Sequence, residues 1–344
     1  MQVPAVANKS KAPSTIWEDL PLSYSEVIMG KVTDLESASK KLAKAKHIDP
    51  AIIIGQPNNP QHLGPIDQNW EIGSITKVFT ALLLAQLHTT NRLDLTAPIA
   101  QYLPDSLNLP ASFDQITFEH LATHRSGLPR LPAGMKLLGK GATDDPYAIF
   151  NQDRIYQAIQ ETKLKRQPGT KSPRYSNYGF GLLGFVIGKA LGSTYEELLT
   201  TQILTPLGLT TATFSDEGLR VGHARSKEVG PWHMGEFNGM GGLRMSPNDL
   251  WKFLTISQQQ DHELAPAFQE TFKIRYQAKR SSIGLAWMFL KDNKIVGHNG
   301  GTLGARTEAF INLDTKNQVV VCGDGNGGTF PVAIDLVNAN SALY

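Results

Sequence analysis

Apolar positions recur along this chain at two different spacings, and the change from one to the other divides it. The run Val78-Phe79-Thr80-Ala81-Leu82-Leu83-Leu84 is apolar on nearly every side of a helix. It predicts a central buried helix from Ser74 to about Thr89. Tyr178, Leu182, Leu183, Val186, Ile187, Ala190 and Leu191 also fall at helical spacing, so a second long helix starts just after Asn177 and ends at Gly192-Ser193. Further helices are expected over 34–46 with a polar face, 117–124, 153–163, 195–204, 246–257 and from Phe330 to about Leu343. Serine at 246 followed by Pro247 is a strong start signal, because proline suits the first helical position. Residues 210–240 show no clear period.

Period-two patterning is confined to the ends of the chain. Pro50 to Gly55 is a short β-branched run, and His62-Leu63-Gly64 reads as a returning strand. Ile283–Leu290, Lys294–His298, Ala305–Leu313 and Gln318–Gly323 read as an antiparallel meander joined by Asp292-Asn293 and by Asp314–Asn317. The expected fold class is therefore α/β (α+β): one antiparallel sheet flanked by helices, built from both termini, with a mostly helical lobe inserted. The expected boundaries are a flexible leader at 1–30 and a single domain at 31–344. Within it a sheet lobe takes about 31–90 plus 280–344, and a helical lobe takes about 91–279.

Composition narrows the function. With 41% hydrophobic and 19% charged residues in 344, the chain can build a sizeable core. A net charge of +2 gives no nucleic-acid or membrane-surface signature at the level of the whole chain. No apolar run approaches the roughly 18–20 residues that a membrane-spanning helix needs. The lone Cys322 excludes an internal disulfide and a multi-cysteine metal site, and its apolar β-like surroundings mark it as a small buried hydrophobe. Met1 to Ser14 is rich in Pro, Lys, Ala and Ser without an apolar core; it reads as a flexible leader or as what a removed targeting segment leaves behind. The compartment stays open, with a periplasmic or secreted location following only if such a segment was removed.

The candidate chemistry starts at Gly73-Ser74-Ile75-Thr76-Lys77. Residues three apart on a helix are neighbours, so Lys77 reaches back to the Ser74 hydroxyl. A helix start also places Ser74 beside unpaired N–H groups and the positive end of the dipole. Spacing alone does not select this site, because Ser37-Ala38-Ser39-Lys40 has it too, on a polar helix with little to bury. A plain N-cap role for Ser74 is the competing reading. Two other stretches carry chemistry: Tyr175-Ser176-Asn177, whose outer residues lie two apart in an extended segment before a helix, and the glycine-rich stretch Gly297-His298-Asn299-Gly300-Gly301-Thr302-Leu303-Gly304 between two meander strands.

Ser-x-x-Lys at 74–77, Tyr-x-Asn at 175–177 and His-x-Gly at 298–300, in that order, resemble the class C β-lactamase and penicillin-binding-protein family of serine hydrolases, which includes esterases and D-amino-acid peptidases. Thr-His-Arg-Ser-Gly-Leu-Pro at 123–129, the continuation of Tyr175 to Gly184 and Met240-Gly241-Gly242-Leu243-Arg244 add supporting texture over roughly residues 45–343. The resemblance implies Ser74 as nucleophile, with Lys77 and Tyr175 sharing the acid–base work; which of the two is the first base stays open. It implies an oxyanion hole from the N–H groups of Ser74 and Gly301, with Gly300 in the third motif. Asn177 would fix the lysine or the substrate carbonyl, and His298 would line the opposite wall and donate to substrate or to Tyr175.

Two departures from the β-lactamase pattern matter. Where that pattern has Lys-Thr-Gly this chain has His298-Asn299-Gly300, and a histidine is mostly neutral at pH 7. After Leu-Pro the chain has Arg130-Leu131, where a substrate-contacting glutamine is usual in β-lactamases of this class. Both weaken a β-lactam reading. The expected reaction is acyl-enzyme formation on Ser74 with an ester or peptide-like amide, a D-alanyl peptide being one such substrate. A penicillin-binding sensor with little turnover and an acyltransferase are the alternatives.

No cofactor or metal is implied; the His120 and His124 pair has zinc-like spacing but lacks the intervening glutamate. Expected partners are a small-molecule or peptide substrate, with no nucleic acid. Lys163, Lys165, Arg166, Lys171 and Arg174 form a basic cluster just before Tyr175, either a solvated loop or a lure for carboxylate-bearing substrates. Aromatic interleaving, which single-stranded nucleic acid would need, is absent there.

Overall fold

Ile52 and Ile54 face one way from their strand and Ala51 and Ile53 the other, yet all four are buried. A strand apolar on both faces must be covered on both faces, and this one is. The computed structural model describes residues 32–339 apart from 134, 136, 138–143 and 279–280, so the leader expected at 1–30 lies outside the described residues.

In chain order the elements are α1 (Leu35–Lys44), β1 (Ala51–Gln56), β2 (Asn59–Leu63), β3 (Trp70–Glu71), α2 (Thr76–Thr89), α3 (Phe118–Ala122), α4 (Gln152–Glu161) and α5 (Asn177–Leu191). Then come α6 (Tyr195–Leu199), β4 (Gly222–Ala224), β5 (Lys227–Val229), β6 (Arg244–Met245), α7 (Pro247–Ser257) and α8 (Ala265–Phe272). The chain closes with β7 (Tyr276–Gln277), β8 (Ser281–Ile283), β9 (Met288–Leu290), β10 (Ile295–Gly301), β11 (Ala305–Asn312), β12 (Gln318–Asp324) and α9 (Thr329–Val337).

Eight of these strands form one antiparallel sheet in the order β2-β1-β12-β11-β10-β9-β8-β7. The N-terminal strand sits inside it because β1 pairs with β12, Ile53 opposite Val320. This is the expected antiparallel sheet flanked by helices, drawn from both ends of the chain. One face, carrying Ile52, Ile54, Ile295, Phe310, Val319 and Val321, packs on the apolar stripes of α1 and α9. The other face, with Ile53, Val296, Ile311 and Val320, belongs to the larger core around α2. Eleven of the 14 residues of α2 are buried, which explains why its sequence shows almost no polar side. No helix among the described residues is long and apolar enough to cross a membrane.

Several elements depart from the pattern reading. Ile283–Leu290 is two short strands, because Ala286 takes φ +62° and the chain turns aside to bond Leu285 N to Thr271 O and Ala286 N to Ala122 O. Helix α8 went unpredicted; its proline lies in the first turn, where a missing N–H costs nothing. Helix α9 ends at Val337, and residues 340–344 lie outside the described ones. The strand expected over Lys294–His298 runs on through Asn299 and Gly300: β10 is in register with β11 as far as Gly301 opposite Arg306. The turn follows it, closed by Thr302 N donating to Ala305 O.

Cys322 is buried on β12 as expected. On β11, Glu308 is also buried. One of its oxygens accepts from Thr329 Oγ1 at 2.8 Å; the other has no partner among the described residues. Burial raises its pKa to about 8.

Candidate active site

Ser74 lies in a 3₁₀ turn, Gly73–Ile75, that runs directly into α2. Its side chain caps nothing, so the N-cap reading fails. The turn is possible because Gly73 takes φ +51°. Lys77 projects from the first turn of α2, and its Nζ sits 2.9 Å from Ser74 Oγ while donating to Met240 O. The lysine is fully buried, with the rings of Tyr175 and Phe180 5.0 and 5.8 Å away. Burial first, and the Arg130 charge second, hold its pKa well below the usual lysine value. By contrast Ser37 is part of a capping box: its amide donates to Asp34 Oδ1 and its hydroxyl to Asp34 O, while Lys40 pairs with Glu36. The second Ser-x-x-Lys match is a helix start and a surface ion pair.

Tyr175 is brought 101 residues to meet Ser74, and its hydroxyl donates to Ser74 Oγ at 2.7 Å. Ser176 caps α5 by accepting from Gly179 N, and its hydroxyl donates to Pro129 O. Ser176 N donates to His124 Nδ1 at 3.1 Å, and the His124 ring lies 4.5 Å from that of Tyr175. Burial pushes the Tyr175 phenol upward, against a smaller downward pull from the Ser74 bond and from Arg130. Phenol and amine are therefore both driven towards their neutral forms. Asn177 is the first residue of α5, and its Nδ2 donates to Tyr147 Oη at 3.1 Å. Its Oδ1 has no partner among the described residues and so is not on Lys77.

The third wall is β10. A Cβ on Gly300 would lie 1.9 Å from Ile72 O, and one on Gly73 would lie 2.6 Å from Gly301 N. The main chains around Ser74 and Gly301 are thus in direct contact, the juxtaposition that an oxyanion hole of two backbone N–H groups requires. Glu71 fixes it from behind: its carboxylate accepts from Thr302 Oγ1 at 2.8 Å and from Trp232 N, and its carbonyl accepts from Thr307 Oγ1. His298 is buried and held neutral, its pKa lowered to about 3 by burial and then by Lys77. Its Nδ1 lies 2.6 Å from Asn299 O, and a carbonyl can only accept. The proton is therefore on Nδ1, and Nε2 is an acceptor.

Sequence reasoning missed the groups that complete the walls. The irregular stretch Gly235–Met240 supplies the carbonyl that holds Lys77, and Gly239 O accepts from Thr80 Oγ1. Gly184 of α5 meets Gly239 so closely that a Cβ there would lie 3.0 Å from its Cα. Tyr147 and Trp232 pack edge to face near Asn177, 5.7 Å between centroids. The Met240-Gly241-Gly242 signature was visible; that a carbonyl was its contribution was not. His120 Nδ1 lies on Gln115 O, and His124 Nδ1 accepts from Ser176 N.

Comparison with known proteins puts this geometry in context. The fold is that of class C β-lactamases: one crystal structure of this class superposes with a TM-score of 0.75 at 18% identity, covering 88% of this chain and 95% of the other. The enzyme of the same class from Rhodobacter sphaeroides gives 0.72 at 20% identity, over 87% and 98%. The Beta-lactamase family profile matches residues 55–343, and the chain belongs to that family. Among curated relatives it is 28% identical over 244 residues to the D-alanyl-D-alanine-carboxypeptidase/endopeptidase AmpH of Escherichia coli (strain K12), covering 65% of this chain and 62% of that protein. It is 29% identical over 191 residues to the putative penicillin-binding protein PbpX of Bacillus subtilis (strain 168), covering 53% and 44%. The matched regions thus span less than two thirds of these relatives' lengths. The family is one of serine hydrolases acting on amides or esters.

Proposed function

We propose that this protein is an acyl-transferring serine hydrolase that carries its acyl group on Ser74 and cleaves an ester or a peptide-like amide. The observation that carries this reading is the position of Ser74 Oγ between Lys77 Nζ at 2.9 Å and Tyr175 Oη at 2.7 Å. Neutral Lys77 takes the Ser74 proton as Oγ attacks the carbonyl, and the amides of Ser74 and Gly301 bind the oxyanion. Tyr175 passes its proton to the leaving group and regains one from Lys77. Water then enters by the reverse path and frees the serine. A D-alanyl peptide is the substrate class supported by the similarity to AmpH. A neutral His298 in place of a lysine speaks against β-lactams as main substrates.

The test is labelling with a fluorophosphonate and a fluorescent penicillin, followed by turnover of p-nitrophenyl esters. Wild type is expected to label at Ser74 and release product, Ser74→Ala to do neither, and Tyr175→Phe to lose about 10²-fold in turnover. Wild-type protein that neither reagent labels would sink the acyl-enzyme. Labelling without turnover would identify a penicillin-binding sensor, a reading with its own support in the similarity to PbpX. Turnover that rises with added alcohols or amines would identify an acyltransferase.

A further inference from the structure

The catalytic groups of this site are short of charge. Lys77, Tyr175 and His298 are all driven towards neutrality by burial. Arg130 is a permanent charge that acts on both Lys77 and Tyr175. Its guanidinium carbon stands 5.4 Å from the Tyr175 ring centroid, on the segment whose main chain is pinned by Tyr178 N donating to Arg130 O. The side chain is only half-buried, and it makes no hydrogen bond or ion pair among the described residues. Stacking on a ring uses one face of a guanidinium and leaves the donors on its edge available.

The surroundings do not compensate this charge. Arg125, Lys165, Arg166, Lys171 and Arg174 line one surface cavity, which is bounded by His124, whose ring in turn packs on Tyr175. None of these five cations forms an ion pair among the described residues. An unneutralised basic surface beside the cleft raises the local concentration of anions.

We infer that Arg130 is the anion-binding residue of this site and selects acyl-transfer substrates that carry a carboxylate near the scissile carbonyl, on the Tyr175 side of the cleft. The inference rests on the acyl-enzyme reading above and names its substrate class. It also moves the cationic function: the third-motif wall, which carries neutral His298, gives it up, and the wall opposite supplies it.

Two substrate pairs test this and show which part of the substrate holds the carboxylate. p-Nitrophenyl butyrate and p-nitrophenyl hemisuccinate differ by a carboxylate in the acyl group; phenyl acetate and 3-acetoxybenzoate differ by one in the leaving group. In at least one pair the wild type is expected to prefer the anionic member, and the preference should shrink as salt rises, because Arg130 is half-exposed. Arg130→Gln should lower the anionic-to-neutral ratio of kcat/KM in that pair by about 10- to 100-fold, and Arg130→Lys should restore part of it. A ratio that Arg130→Gln leaves unmoved in both pairs overturns the assignment while the acyl-enzyme stands. So does a wild-type preference for the neutral member in both pairs, or a preference insensitive to salt, neither of which needs a variant. Turnover of none of the four esters, with Ser74 still labelled by a fluorophosphonate, would overturn the Arg130 assignment and leave the acyl-enzyme standing; failure of that labelling would overturn the acyl-enzyme itself.

Discussion

Gly300 touches the site through its lack of a side chain. Its missing Cβ is what lets Ile72 O and Ser74 N lie against β10. Gly300→Ala must push the strand away from the Ser74 turn, and both the oxyanion donors and the packing suffer. The expected outcome is a loss of about 10²–10³ in kcat together with about 1–3 kcal/mol of stability, read by ester turnover and by urea unfolding. Ser74 labelling should slow rather than vanish, since Lys77 and Tyr175 remain; unchanged kcat would remove Gly300 from the oxyanion site. At this scale the sequence was informative about residue identity and poor on role. Ser74, Lys77, Tyr175 and His298 could be picked out because the roles proposed for them need particular side chains at fixed spacings and in a fixed order along the chain. The carbonyl of Met240 and the proton position on His298 could not, because every residue has a carbonyl and a tautomer follows only from the neighbouring acceptor.

Elements bring those residues together through close crossings. Helix α5 carries glycine at 179, 181, 184 and 188, and a Cβ at 181 would strike the Phe237 ring at 2.6 Å. Gly181 and Gly184 let the turn over Gly235–Met240 lie against α5, where it holds Lys77 and Thr80. Gly184→Leu is therefore expected to cost about 1–3 kcal/mol by overpacking and to lower turnover through Lys77, at more than ten residues' remove in sequence from any catalytic group except those at the start of its own helix. Chemical denaturation and kcat measured on the same preparation check both effects; a change in stability with kcat untouched would show that the turn does not position the lysine. Long periodic helices and the antiparallel meander were legible beforehand, since burial on one or two faces writes itself into apolar spacing. The stretch 210–240 was not, because its form is set by glycine contacts and carbonyl bonds to other elements.

For the molecule as a whole, buried titratable groups tie stability to pH. Glu308 has an ordinary value of 4.5 and rises to about 8 in the fold. Between these values the unfolded chain releases a proton that the folded chain keeps, so this group's contribution falls as pH rises from 4.5 to 8. His298 acts in the opposite sense: lowered from 6.5 to about 3, it stays neutral while the unfolded chain takes up a proton, and stability is lost as pH falls through that window. Each such group contributes a slope of about 1.4 kcal/mol per pH unit within its window. Comparing Glu308→Gln with wild type isolates the first: their difference in Tm should widen in favour of the variant from pH 4.5 to 8 and stay level below. A difference that does not change with pH would mean the carboxylate ionises freely.

The division between α2 and the Arg130 segment has a consequence for how this protein can change over generations. Lys77 rides on the helix at the centre of the larger core and Ser74 on the turn that leads into it, so almost any change there is a change in folding. Arg130, by contrast, lies half in solvent. Selection can therefore alter which substrates are accepted by editing the Arg130 wall, one substitution at a time, while Ser74, Lys77 and the core around them are inherited unaltered.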